Sequence, residues 1–203
     1  QSEFLYNDGG NQAFERFAHD SSPMFLLADR LLRRNAKLDG LGIQFHLLAD
    51  KMEQFSREEL CNYFDPAHHL RVLDQLGQLN LPLHISEISL TTFPELPREA
   101  AEEFQAQCLR NFYRIWFSHR NCNSIVYWNL CDQTAFGEEN RWNACLIDGE
   151  FNEKPSYKML DQLVNREWHT QTTLVTDENG EATWNGFYGE YELEIAGTKK
   201  KVS

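Results

Sequence analysis

The segment Leu81-Pro82-Leu83-His84-Ile85-Ser86-Glu87-Ile88-Ser89-Leu90 does most to limit what this chain can become. Leu83, Ile85, Ile88 and Leu90 form a nearly apolar run, the pattern of a β-strand covered on both faces. That run carries one carboxylate, Glu87, near its far end. A buried carboxylate without partners is costly, so Glu87 must be neutralised, hydrogen-bonded or held at the mouth of a cleft. In a (β/α) barrel the carboxyl ends of strands line the active site. The strand by itself leaves open the plainer alternative, a structural ion pair at a strand end.

The surrounding sequence alternates strand and helix signals. Phe4 to Tyr6 reads as a short strand. Ser22-Pro23 opens a helix whose apolar face takes in Phe25, Leu26, Ala28, Leu31 and Leu32. Leu41 to Phe45 is a second strand, and Ser56 with Glu59 has capping-box spacing. Asp65-Pro66 starts a helix carrying Leu70, Leu73, Leu76 and Leu79. Pro97 opens a long helix, Asn123 to Leu130 is a further strand, and Pro155 starts the last clear helix. Strand-to-helix units in succession imply an α/β fold with a parallel sheet and right-handed crossovers. The four units here are half of an eightfold barrel, which needs about 250 residues.

The character changes after Trp168. Thr172 to Thr176, Ala182 to Phe187 and Glu190 to Ile195 read as short strands around the turn Asp177-Glu178-Asn179-Gly180. Residues 1–166 are therefore expected to form the half-barrel and 167–203 a small antiparallel β appendage. The formal net charge of -12 argues against nucleic acid as a partner. Lys199-Lys200-Lys201 is the one basic run and is expected in a solvated tail. No stretch is long enough for a membrane span, and Glu3, Asn7 and Asp8 interrupt any signal-peptide core. The five cysteines match no zinc spacing and are expected to be mostly free, buried thiols; no metal or cofactor is expected.

Polar residues cluster at the carboxyl ends of the expected strands: Asn7 and Asp8, then Gln44 and His46, then Glu87, then Trp128 with Asp132. Such ends converge in space, and amides, a carboxylate, an imidazole and an indole face together suit a sugar. His84 is assigned to packing, and His68-His69 to a helix surface.

With those residues in place, the chain resembles the C-terminal half, strands five to eight, of a family 10 glycoside hydrolase, typically an endo-1,4-β-xylanase. Four motifs carry the resemblance in order: Leu5-Tyr6-Asn7-Asp8, Asp39-Gly40-Leu41-Gly42-Ile43-Gln44-Phe45-His46, Leu81 to Glu87, and Ile125-Val126-Tyr127-Trp128-Asn129-Leu130-Cys131-Asp132. Leu146-Ile147-Asp148-Gly149 and Lys154-Pro155-Ser156-Tyr157 follow. The resemblance implies retaining hydrolysis of β-1,4-xylan with Glu87 as nucleophile and His46 hydrogen-bonded to it. It implies substrate contacts from Asn7, Gln44, Trp128 and Phe136, with xylan or xylo-oligosaccharide as ligand. Ser89 stands where the family often has an acid, and Phe136 where a second tryptophan packs over the sugar. Asn129 and Cys131 replace small residues. The family's acid/base glutamate belongs to its fourth strand, so it is expected outside this chain, as is a partnering N-terminal barrel half. A secreted or cell-surface location is expected from the polymeric substrate. A non-catalytic carbohydrate-binding or assembly half-barrel is the alternative reading.

Overall fold

Four strands lie side by side, all parallel, in the order in which the chain makes them: β1 (Leu5–Asn7), β2 (Gly40–Leu47), β3 (Leu83–Leu90) and β4 (Cys122–Ile125). The computed structural model describes residues 2–9, 12–15 and 17–202. Helices occupy the connections: α1 (Gln12–Glu15) and α2 (Pro23–Arg33), then α3 (Arg57–Phe64) and α4 (Pro66–Gly77), then α5 (Arg98–Ser118). After β4 comes α6 (Pro155–Gln162). The chain divides into two units, Gln1–Met159 and Leu160–Ser203.

The helix starts follow their caps. The Phe25 N–H donates to the Ser22 hydroxyl at 3.3 Å, with Pro23 at the first helical position. Ser56 and Glu59 close a reciprocal box at 3.1 and 2.7 Å. The Asp65 carboxylate accepts from the Ala67 N–H at 2.9 Å and opens α4 immediately after α3 ends.

Leu41, Ile43, Phe45 and Leu47 of β2 are fully buried, as are Leu83, Ile85, Ile88 and Leu90 of β3. The Phe45 ring meets Phe112 at 4.8 Å, Trp116 at 5.2 Å, Phe14 at 5.3 Å and His69 at 5.4 Å. Because side chains alternate along a strand, Gln44 and His46 point to the other face.

The apolar positions of β3 change parity, from 83 and 85 to 88 and 90. The register explains this: Ile43 pairs with Ile85, but Gln44 pairs with Glu87, so one extra residue sits in β3. A single extra residue exchanges the two faces of a strand. Without that bulge, Glu87 would face the helices.

Three expectations are corrected. His68 and His69 are buried, not on a helix surface. Together with Val72, Leu73 and Leu76 they form one continuous stripe, wide enough for two adjacent residues. On α2 the buried residues are Met24 and Ala28, one helical turn apart, while Leu26 and Leu27 are exposed. The apolar count could not reveal which arc met the sheet.

The third correction concerns the second unit. The segments 172–176 and 182–187 are not strands. The unit holds a π-helical turn, Leu163–Glu167, and a hairpin of β5 (Tyr191–Ile195) and β6 (Thr198–Val202). Ala196 and Gly197 both take positive φ at its tip, the conformation of a two-residue hairpin turn. Lys199 to Lys201 are solvent-exposed, as expected, but they lie in the ordered strand β6 rather than in a tail. Lys199 and Lys201 stand opposite Glu194 and Glu192 in the ladder, and the Lys199 ammonium meets the Glu192 carboxylate at 2.6 Å, an opposite-charge contact across the hairpin.

Candidate active site

Glu87 sits at the bulge of β3, and three neighbouring side chains converge on its carboxylate. Asn7 from the end of β1 donates its amide N–H to Oε1 at 3.2 Å. Gln44 from β2 donates to the same oxygen at 3.0 Å. The His46 Nε2, also from β2, lies 3.3 Å from Oε2. Ser86 donates its hydroxyl to Asn7 Oδ1 at 2.6 Å, which fixes the amide with its N–H groups toward Glu87.

Gly42 makes room for this arrangement. A β-carbon there would lie 2.3 Å from Asn7 Oδ1. The strands β1 and β2 therefore bring Asn7 across the sheet face only because position 42 has no side chain.

Burial holds the His46 imidazole below its ordinary pKa, while Glu87 and, more weakly, Glu139 pull the other way. The ring is accordingly neutral near neutral pH, and its contact with a carboxylate selects the tautomer with the proton on Nε2. Both side chains remain partly open to solvent, 17% for His46 and 18% for Glu87. Glu87 is thus a carboxylate oriented by neutral donors at the open end of a sheet, a geometry suited to a nucleophile or to a sugar-binding acceptor.

The other expected residues fall into place unequally. Backbone N–H groups of Val126 and Trp128 donate to Ile85 and Ile88, each at 2.8 Å, so parallel pairing continues past β4. Trp128 arrives beside the Glu87 strand end and is 42% exposed. Phe136 is 91% exposed in the following loop; among the described residues no hydrogen bond or ring contact joins it to the cluster. Asp132 is corrected from a cleft residue to a buried structural one. It pairs with Lys154 at 3.0 Å, with both side chains nearly fully buried, and accepts from the Cys145 N–H. The Asp8 carboxylate accepts from the Tyr6 hydroxyl, not from the Glu87 partners. His84, assigned to packing, makes a polar contact with the Ser124 hydroxyl at 2.8 Å.

Ser86 and Gly42 were not singled out from sequence. The parity change in β3 was the available signal for Ser86, since a bulge must place two successive residues near one face. Among the described residues, no group of three or more His, Cys, Asp or Glu side chains is arranged to hold a metal ion.

An open parallel sheet with its polar cluster at the carboxyl ends of successive strands defines an α/β protein of the (β/α)-barrel type. The sequence model of Glycosyl hydrolase family 10 matches residues 1–163, and the chain belongs to that family. An anti-sigma-I factor of Acetivibrio thermocellus is 27% identical over 172 residues, covering 83% of this chain and 19% of the relative. Endo-1,4-beta-xylanase B of Neocallimastix patriciarum is 22% identical, covering 78% and 16%. Among solved structures, xylanase 10B of Thermotoga petrophila in complex with xylobiose aligns with TM-score 0.60 at 18% identity. That alignment covers 80% of this chain and 46% of the xylanase, and it shows the shared fold. The chain therefore spans less than a fifth of those curated relatives and less than half of that structure.

Proposed function

We propose that the chain is the C-terminal half-barrel, strands five to eight, of a retaining β-1,4-xylan hydrolase, with Glu87 as its nucleophile. The observation that carries this reading is the set of three donors, Asn7, Gln44 and His46, on one strand-end carboxylate. In double displacement an ionised Glu87 attacks the anomeric carbon, the glycosidic bond breaks, and water later releases the sugar from the ester. Neutral donors suit that step because they favour the charged carboxylate without neutralising it. Trp128 and Phe136 are assigned to the apolar faces of the bound xylo-oligosaccharide, and Asn7 and Gln44 to its hydroxyls.

Retaining chemistry needs a second carboxyl group about 5 to 5.5 Å from the first. We assign it to a segment outside these 203 residues, which also completes the barrel. The functional boundary is placed between residues 166 and 167, and the intact protein outside the cell, where polymeric xylan is met. Hydrolysis of a xylo-oligosaccharide by the chain, alone and mixed with a family 10 N-terminal half, tests the assignment. Turnover should require the added half and vanish in Glu87→Ala. Turnover by the isolated chain would overturn the division of labour, and an active Glu87→Ala mixture would overturn the nucleophile.

One observation favours a second reading. The relative from Acetivibrio thermocellus is named for anti-sigma-I activity rather than hydrolysis. Binding without turnover, measured by calorimetry with xylotetraose, would support a carbohydrate-recognition half-barrel instead.

A further inference from the structure

Asn7 reaches the Glu87 carboxylate from two strands away. It pairs with Gly42 on β2, and its target lies on β3, beyond that strand. Neighbouring strands lie about 4.8 Å apart, so the contact bridges roughly twice that spacing. It passes over Gly42, where a β-carbon would strike Asn7 Oδ1. Packing does little to hold a side chain in that position, because Asn7 is exposed. Two hydrogen bonds hold it instead. Glu87 Oε1 accepts from Asn7 Nδ2 at 3.2 Å, and the Ser86 hydroxyl donates to Asn7 Oδ1 at 2.6 Å. The two ends of one amide are thus tied to two successive residues of β3.

Successive residues of a regular strand point to opposite faces. Ser86 and Glu87 both reach Asn7 because of the bulge: Ile43 pairs with Ile85 and Gln44 with Glu87, which leaves Ser86 between those pairs. Ser86 is half-buried, so its hydroxyl is held more firmly than the amide it meets. Donor and acceptor chemistry then sorts the amide. A carboxylate only accepts, so Glu87 takes the N–H side; a hydroxyl can donate, so Ser86 takes the carbonyl side.

We propose that Ser86 is a positioning residue for Glu87 that acts through Asn7: its hydroxyl clamps the amide that holds the Oε1 side of the carboxylate, and so fixes the direction in which Glu87 meets the anomeric carbon. The role rests on reading Glu87 as the nucleophile. Gln44 also donates to Oε1, at 3.0 Å, so losing the clamp loosens the carboxylate without releasing it. A loosened nucleophile costs rate rather than ground-state binding, because its direction matters at the reacting atom.

The test uses the 203-residue chain, alone and reconstituted with a family 10 N-terminal half. Ser86→Ala should lower kcat for a xylo-oligosaccharide by roughly three- to tenfold with KM little changed. Ser86→Thr, which keeps the hydroxyl, should restore it. In an Asn7→Ala background the Ser86→Ala change should cost nothing further. An unchanged kcat in Ser86→Ala overturns the proposal, and so does an equal loss in both backgrounds. NMR relaxation of the Asn7 side-chain amide nitrogen reads the clamp in the chain alone: the amide should gain fast motion in Ser86→Ala and not in Ser86→Thr. An amide equally ordered in wild type and Ser86→Ala likewise overturns the clamp. Absent turnover in the wild-type mixture counts against the proposed function, whereas the amide relaxation decides the role of Ser86.

Discussion

The strand that carries Gln44 and His46 rests on a histidine held neutral in the core, so acid should undermine the site from beneath. His69 is fully buried. Its Nδ1 accepts from the Trp116 indole N–H at 3.2 Å, which leaves Nε2 to donate to the Tyr63 carbonyl at 2.7 Å. Both ring nitrogens are satisfied only in the neutral form, because protonating Nδ1 would set one donor against another. Burial, the main cause, pushes the pKa from 6.5 down to about 4. The unfolded chain takes up this proton below its ordinary value and the folded chain does not. Stability is therefore lost as pH falls from 6.5 toward 4, and levels off beyond. The full span is worth roughly 3 kcal/mol, of which about 2 kcal/mol is lost between about pH 7.5 and about pH 5. Urea unfolding followed by tryptophan fluorescence at those two pH values measures it. His46 is depressed in the same direction, so His69→Gln isolates the term. The variant should be less stable near neutrality but lose about 2 kcal/mol less on acidification. Equal losses in wild type and variant would refute the account of a neutral core imidazole.

Three other outcomes are expected. Gly42→Ala should displace Asn7, break its contacts to Ser86 and Glu87, and lower xylo-oligosaccharide hydrolysis by the reconstituted barrel at least roughly tenfold with little change in its melting temperature; unchanged turnover would argue against Asn7. Lys154→Met leaves the Asp132 carboxylate buried without its partner and should cost about 3–5 kcal/mol in urea unfolding, a loss under about 1 kcal/mol being the contrary result. A thiol reagent near neutral pH should label exposed Cys61 first and reach Cys108 and Cys145 only on unfolding, since burial pushes both thiols up to about 12; early labelling of either would contradict their burial.

Local chemistry marked the beginnings of elements well. Ser22, Ser56 and Asp65 cap the helices at which they stand, because a cap needs only a side chain and an N–H two or three residues away. The burial of His68 and His69 was not legible, since a helix of mixed composition does not announce which arc meets the sheet. The Lys199 to Lys201 run is solvated as expected, but its place in a strand was not legible for a related reason. Three lysines look like a solvated tail until Glu192 and Glu194 are known to lie opposite.

The same division runs through the site. The sequence by itself determined the residue types and their order: an amide after the first strand, Gln44 and His46 two apart on the second, and Glu87 on the third. Two apart on a strand means one face, so part of the cluster was settled before any fold existed. Only the tertiary structure decided that Glu87 shares that face, because the bulge beside Gln44 shifts β3 by one residue. It alone decided that Asp132 belongs to Lys154 rather than to the cleft. The physical reason is that periodicity acts between neighbours in sequence, whereas register, buried pairing and loop anchorage act between segments that meet only after folding.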